Sequence, residues 1–456
     1  MFKGALPGFR DFYPQELAVR AFIMSVWRDV ARSYSFVEYD GPPLEPLELY
    51  TAKSGDEIVG QLYNFRDKGD RTVALRPEMT PTVARMVADR ASSLRKPVRW
   101  FSMPQLFRYE RKQKGRLREH YQLNVDIFGE SGVEADAELL GLGIDIMRAF
   151  GLSARDVVAR VSDRRILQGY LESRGIDDHM MPLAFAVIDK LHKQSNEVST
   201  QVLTAAGISA AGTQAILGVG SLQLSELSDA LSNHRSEKHV ASLQEYMRYL
   251  HALGLADYLQ IDLSIVRGLG YYTGIVFEIF DRAGAHRAIC GGGRYDNLLA
   301  SLGGVDMPAL GFGMGDVVLG DILKERNLLK PGEPKADIWL GGSPQVPSVQ
   351  IASAASQLRR EKARVEVPLR AQPLKKQRDA AWRERIPLFA TLHSESSALD
   401  AGLATPISLD PMTTFLSNQY LAEFLEIFRV GSPTLGNLIE TLRDQHPLLL
   451  KIRAHA

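Results

Sequence analysis

The sequence predicts an α+β protein: a mostly antiparallel sheet flanked by helices and interrupted by a helical insert, followed by a smaller α/β domain. Three observations predict it. Two apolar, aromatic-rich runs at 98–107 and 121–128 are joined by a charged loop carrying Gly115, which is the pattern of a long hairpin. From about 161 to 256 nearly every segment has helical periodicity with short polar connections. Beyond the proline- and glycine-bearing group KPGEPK, 330–335, strand-like and helix-like segments alternate.

The elements follow in chain order. Residues 17–33 form an amphipathic run read as a helix, and 36–46 lead to Pro42 and Pro43, which end regular structure. TVAL, within 71–86, is a short strand entering RPEMTPTVARMV, where Thr80 before Pro81 marks a helix start. After the hairpin, helical periods begin at Glu134 and continue through the insert. Strand character returns at 259–265, 274–280, the glycine-rich 289–296, and 309–314. In the last part DIWLGG, RVEVPL and PLFATL are strands separated by helical stretches at 349–361 and up to Arg385. The domains expected are therefore 1–329 with the insert at 161–256, a linker at 330–335, and 336–456.

At 456 residues the chain is long enough for roughly three domains. A hydrophobic fraction of 45% and a charged fraction of 24% argue for packed cores and against disorder. The single cysteine, Cys290, excludes an intrachain disulfide and a multi-cysteine zinc site. The opening MFKGALPGFRDF lacks the apolar core of a signal peptide, and no stretch of about 18 apolar residues occurs, so a cytoplasmic location is expected. With 54 basic and 54 acidic residues there is no whole-chain field to capture nucleic acid, but local fields exist. Between Arg108 and Arg118 six basic residues face one acid, and between Arg359 and Arg385 ten face four. The first cluster suits phosphates; the second suits either a polyanion or a solvated helix face.

The hairpin holds most of the chemistry. Arg108 and Glu110 share one strand face, and the tip adds Arg111, Lys112, Lys114, Arg116 and Arg118. Arginines on a rigid hairpin can grip a polyphosphate bidentately. On the returning strand Gln122, Asn124 and Asp126 alternate with Leu123, Val125 and Ile127, so three polar groups share a face. By itself that alternation reads first as a half-exposed antiparallel strand.

The segment FSMPQLFRYERKQKGRLREHYQLNVDIFG at 101–129 resembles motif 2 of class II aminoacyl-tRNA synthetases, and more narrowly that of the histidyl-tRNA synthetase family. LRPEMTPTVARM at 75–86, VSDRRILQGYL at 161–171, VIDKLHK at 187–193, VRGLGYYTGIVFEIF at 266–280 and AICGGGRYDNLL at 288–299 resemble the same family in the same order. The resemblance implies a class II antiparallel core and ATP- and Mg2+-dependent activation of histidine to histidyl adenylate, followed by transfer to the 3′ end of histidine tRNA. It implies that Arg108 and Arg267 flank the α-phosphate, with Glu110, Arg116, Arg118 and Arg294 at the nucleotide and pyrophosphate. It implies that Glu78, Thr80 and Gln122 hold the α-amino end of histidine, that Asp126 and Tyr272 read the imidazole, and that Arg267, Tyr271, Gly291 to Gly293, Arg294 and Tyr295 line the pocket. A metal site is not specified. Residues 36–46 resemble motif 1, which implies a homodimer.

Each assignment has a structural alternative. Glu78 can cap the helix that follows, Tyr271 and Tyr272 can be strand aromatics, and Arg267 can sit in a surface ion pair. The sequence departs from the family pattern at Gly270, where an aspartate is usual, at Lys112, where a proline is usual, and at 316–318, where Asp-Val-Val replaces a motif 3 arginine. The C-terminal region resembles the family's anticodon-binding domain through KADIWLGG, RVEVPL and LKKQ, and little beyond Ser394 does. Two rivals share these features: the regulatory subunit of ATP phosphoribosyltransferase, which typically lacks the last 120 or so residues, and a paralogue that charges a non-tRNA acceptor.

Overall fold

A computed structural model describes residues 4–51, 60–110, 115–191, 194–266, 272–329, 335–393, 407–411 and 434–444. The chain divides into two compact units, 1–329 and 330–456.

The strands of the first unit are β1 Val37–Glu38, β2 Leu44–Pro46, β3 Asn64–Arg66, β4 Thr72–Leu75, β5 Val98–Ser102, β6 Gln105–Phe107, β7 Glu119–Phe128, β8 Val157–Asp163, β9 Leu259–Ile261, β10 Ile275–Asp281, β11 Cys290–Arg294 and β12 Ala309–Gly315. Nine of them form one sheet in the order β1-β5-β7-β12-β11-β10-β8-β9, with β6 also paired to β7. All its pairings are antiparallel except β1 with β5 and β8 with β9. A second, three-stranded sheet sets β4 between β2 and β3.

One face of the large sheet is covered by helices. Helix Pro14–Ser33 starts with proline in its first turn and spaces Ile23, Trp27 and Ala31 by four residues, so all three fall on one buried stripe. Helix Val133–Ala149 is buried almost all round, with Leu139, Leu140, Leu142, Ile144, Ile146 and Met147 inside. These residues form one core with Leu123, Val125 and Ile127 of β7 and Leu319 of helix Asp316–Glu325. Fully burying each such side chain contributes roughly 1.5–3 kcal/mol. The period-two alternation of β7 therefore turns Gln122, Asn124 and Asp126 to the opposite face.

The helical insert begins later than the periodicity places it. Residues 161–163 end β8, and helix Arg164–Ser173 follows with the Asp163 carboxylate capping the Arg165 amide. Apolar VVARV reads as strand or helix from periodicity alone, and its register against β10 decides for strand. Helices then continue to Glu237–Ala252.

The second unit contains β13 Ile338–Gly342, β14 Val365–Glu366, β15 Leu388–Leu392 and β16 Ile407–Pro411, in a mixed sheet of order β14-β13-β15-β16. β13 pairs parallel with β14 and β15, while β16 is antiparallel to β15. Helices Ser348–Arg360, Leu374–Arg383 and Leu435–Asp444 accompany it. Ile351, Ala355, Leu358, Leu435, Leu438 and Leu442 close its core.

Candidate functional site

β7 lies between β5 and β12, and its face carrying Gln122, Asn124 and Asp126 is the floor of the site. At the inner end, Asp126 is wholly buried and accepts a hydrogen bond from the Tyr295 hydroxyl on Oδ1. Its other oxygen, Oδ2, has no hydrogen-bond partner among the described residues. Burial pushes the Asp126 carboxyl up to about 7, and the Tyr295 bond opposes part of that rise. Asn124 Oδ1, two residues along the same face, is likewise buried and unpartnered among the described residues. Tyr39, stacked at 5.5 Å on Trp100, is a buried phenol whose pKa burial raises far above normal, with the Asp126 charge adding to the effect. Two polar atoms left unmatched on one strand face are costly in a core, at about 1–3 kcal/mol each, unless a ligand completes them.

Glycines make the space. A Cβ at Gly311 on β12 would lie 2.3 Å from Asp126 Oδ1 and 2.8 Å from the Tyr295 hydroxyl, so no larger residue coexists with that pair. A Cβ at Gly313 would meet the Gln122 amide at 2.8 Å, and at Gly292 it would lie 2.3 Å from the Gly311 carbonyl oxygen. The glycine run of β11 thus permits close approach of the strands beneath the site.

The outer end is basic. The Arg108 amide donates to the Arg118 carbonyl at 3.0 Å, and Arg108 Nε donates to the Pro77 carbonyl at 2.9 Å. That second bond ties the hairpin arginine to the segment preceding helix Thr80–Asp89, in which Glu78 and Thr80 are buried. The same segment is anchored by buried Arg76, which donates to Asp40 at 2.9 Å and to the Gln105 and Gly41 carbonyls. Arg116 pairs with buried Glu110 at 2.7 Å, and Arg118 lies 4.0 Å over the Tyr109 ring. Tyr272 packs in the cluster that holds Tyr295 and Val83, next to the inner end. The structure thus brings Arg108 together with the Glu78–Thr80 segment and sets Gln122 and Asp126 in line along β7. Arg267, Tyr271 and Gly270 lie outside the described residues, as do the tip residues Arg111, Lys112 and Lys114.

The expectation for Arg294 needs correction. Its guanidinium is buried and makes five hydrogen bonds: Nε and Nη2 to Asp136 at 3.3 and 2.5 Å, Nη1 to the Glu130 carbonyl at 3.0 Å and Asp296 at 3.3 Å, and Nη2 to the Gly132 carbonyl at 3.2 Å. A guanidinium has five N–H donors. All are used within the protein, so Arg294 clamps β11 to the start of helix Val133–Ala149 and keeps none for a nucleotide. Burial still raises the Asp136 carboxyl to about 6, against the pull of Arg294. A cavity of about 410 Å³ opens beside this pair, lined also by Arg165, Asp296 and Asp306, and no residue of β7 lines it.

Sequence reasoning missed Gly311, Tyr39 and the N-terminal segment. The Arg118 amide donates to the Gly8 carbonyl at 2.9 Å, and Arg10 bridges Glu119 at 2.6 Å and Asp316 at 2.9 Å. Asp316 also accepts from the Tyr121 amide at 2.9 Å. Within 316–318, where the resemblance leads to the expectation of an arginine, Asp316 is thus tied to a distant arginine and to the hairpin stem.

The chain is similar to known proteins over most of its length. A family model described as histidyl-tRNA synthetase matches residues 8–315. A histidine–tRNA ligase of Opitutus terrae is 44% identical over 381 residues, covering 82% of this chain and 86% of that protein. The chloroplastic and mitochondrial histidine–tRNA ligase of Arabidopsis thaliana is 40% identical, covering 81% and 76% respectively. A crystal structure of a histidyl-tRNA synthetase from a Nostoc strain shares the fold, with a TM-score of 0.75 at 23% identity over 91% of this chain and 98% of that one.

Proposed function

The chain belongs to the histidyl-tRNA synthetase family, and from that premise we propose how its own residues carry out the family's reaction. The activity is ATP-dependent ligation of histidine to histidine tRNA. The histidine carboxylate attacks the α-phosphorus, pyrophosphate leaves, and a histidyl adenylate forms; the terminal ribose hydroxyl of the tRNA then attacks the acyl carbon and releases AMP.

The observation that carries the assignment of residues is the unmatched Oδ2 of buried Asp126 at the inner end of the β7 face. Asp126 accepts the ring N–H of histidine there, and Tyr272 addresses the other ring nitrogen. A buried carboxyl poised near 7 and an imidazole near 6.5 share protons readily, so the pair binds histidine as a unit. Glu78, Thr80 and Gln122 hold the α-amino end. Arg108 and Arg267 place fixed positive charge at the α-phosphate, where negative charge builds up in the pentacoordinate transition state. Glu110, Arg116 and Arg118 hold the remainder of the nucleotide. Mg2+ enters as the counter-ion of the ATP phosphates and is thus part of the substrate.

The second unit meets the tRNA. Its exposed Arg360, Lys375, Lys376, Arg378 and Arg385 supply phosphate contacts. Two copies of the chain pair through 36–46, where exposed Val37 and Leu44 lie. The protein works in the cytoplasm; among the described residues no helix is long and apolar enough to cross a membrane. Aminoacylation of histidine tRNA by the purified chain, with ATP and histidine, tests this reading. ATP-dependent formation of histidyl-tRNA supports it, and failure to charge any tRNA in the presence of normal adenylate formation would replace tRNA with another acceptor.

A further inference from the structure

β12 ends at Gly315, opposite Gln122, so residues 118–121 of the hairpin's returning leg extend beyond the strand that pairs with the rest of β7. Within the sheet, 119–121 pair only with the three residues of β6. A two-stranded ribbon of that length is marginal by itself, yet it has to hold Arg108, Arg116 and Arg118 in place. The N-terminal segment 7–12 grips the stretch at three points. At the first, the Gly8 carbonyl accepts the Arg118 amide at 2.9 Å. Gly8 has a φ of 89° and lies against the Arg118 stem, where an added Cβ would sit 2.7 Å from Cγ. The Arg118 carbonyl in turn accepts the Arg108 amide at 3.0 Å, so the segment reaches Arg108 in two hydrogen bonds. At the second, Phe12 meets the Tyr121 ring edge-on at 6.0 Å, and the Arg20 guanidinium covers both rings.

The third point, Arg10, is the firmest. Its Nε donates to Glu119 at 2.6 Å and its Nη1 to Asp316 at 2.9 Å. The second oxygen of Glu119 accepts from the Gln105 amide of β6 at 2.9 Å, and that of Asp316 accepts from the Tyr121 amide at 2.9 Å. Both carboxylates are buried. One guanidinium thereby links the two legs of the hairpin to the first turn of helix Asp316–Glu325. Its planar fork serves two acids at once, which the single ammonium of a lysine does less well.

We infer that Arg10 is a positioning residue of the activation reaction: acting through Glu119 and Asp316, it holds the hairpin where Arg108 meets the α-phosphate. The inference rests on the reading of this hairpin as part of the ATP site. Arg10 touches no substrate in this role. A group misplaced by about 1 Å at a transition state can cost about 100-fold in rate, so loss of the tie shows first in the constants for ATP. The ring end of histidine depends on it less, because Asp126 lies where β7 is paired on both edges, to Trp100 of β5 and Gly311 of β12.

Pyrophosphate exchange on the full chain, with ATP and histidine varied separately, tests this. Arg10→Met alone would strand two buried carboxylates and threaten the fold, so the decisive variant removes those charges as well, as Arg10→Met with Glu119→Gln and Asp316→Asn. Glu119→Gln with Asp316→Asn is its control, in which Arg10 still has an amide oxygen on either side. Were Arg10 there only to neutralise the acids, the triple variant would melt and exchange like the control. The inference predicts instead that it melts within a few degrees of the control, binds histidine within about two-fold by calorimetry, and loses about 10- to 100-fold in kcat/KM for ATP. Arg10→Lys, which keeps the charge without the fork, is expected to lose about 3- to 10-fold in the same constant. A triple variant that exchanges like the control, a control as poor as the triple variant, wild-type constants for Arg10→Lys, or a matching loss of histidine affinity would overturn the inference. A wild-type chain that exchanges no pyrophosphate would instead overturn the site reading beneath it.

Discussion

Replacing Asp126 by asparagine separates the proposed binding role from stability, because burial makes this carboxyl costly in the free protein whether or not it receives histidine. Its ordinary value near 3.9 is raised to about 7, a difference of roughly 3 units, or up to about 4 kcal/mol. The sign follows from the direction of the shift. The folded state holds the proton more tightly than the unfolded one, so the associated stability is complete below about pH 4 and lost as pH rises to 7. Asp126→Asn carries no such titration. In parallel melts without ligand, the wild type should lose ground to the variant by up to about 1.4 kcal/mol per pH unit between pH 4 and 7, and then run level with it. The variant keeps an acceptor for Tyr295 but presents a neutral amide to the ligand. Histidine affinity should therefore fall by about 1.5–3 kcal/mol, roughly 10- to 150-fold, with ATP affinity nearly unchanged. Melting curves that shift in parallel at every pH, or equal losses for histidine and ATP, would refute the reasoning.

Four other substitutions or truncations probe separate parts of the account. Arg108→Ala should lower pyrophosphate exchange by about 10²- to 10³-fold while the fold and histidine binding persist, measured by exchange kinetics and calorimetry. Arg294→Met leaves Asp136 buried without its cation and should cost about 3–5 kcal/mol in denaturant unfolding, with any loss of activity tracking the unfolded fraction rather than ATP affinity. Gly311→Ala places a Cβ within 2.3 Å of Asp126 Oδ1, so the KM for histidine should rise at least about tenfold while the KM for ATP moves little. Truncation after Lys330 should leave pyrophosphate exchange largely intact if the dimer persists but weaken charging strongly, and the salt dependence of tRNA binding should flatten by about one unit of slope for every phosphate-binding side chain removed.

What is legible in the sequence follows from the range of the forces involved. The face of β7 is readable because a strand alternates with period two, so Gln122, Asn124 and Asp126 declare a common face without any knowledge of neighbours. The start of helix Thr80–Asp89 is readable from Pro81 for the same local reason. The role of Arg294 is not: its chief partner, Asp136, is 158 positions away, and nothing local distinguishes a saturated guanidinium from a free one. The N-terminal segment escapes because Gly8–Phe12 has no regular backbone, and Arg10 is bonded to Glu119 and Asp316, which lie 109 and 306 positions away. Residues 161–163 fall into the insert on periodicity because an apolar run fits strand and helix alike until its partner strand is known. Gly311 gives no signal as a single glycine, since its importance lies in two atoms contributed by Asp126 and Tyr295.

The central claim, that the β7 face binds histidine at Asp126 and ATP at its basic end and joins them, is tested most directly by pyrophosphate exchange with each of the twenty amino acids in turn. The account predicts exchange with histidine alone, reduced by Asp126→Asn through the KM for histidine and by Arg108→Ala through the maximal rate. Exchange driven by a different amino acid, or exchange with histidine that neither substitution alters, would contradict it.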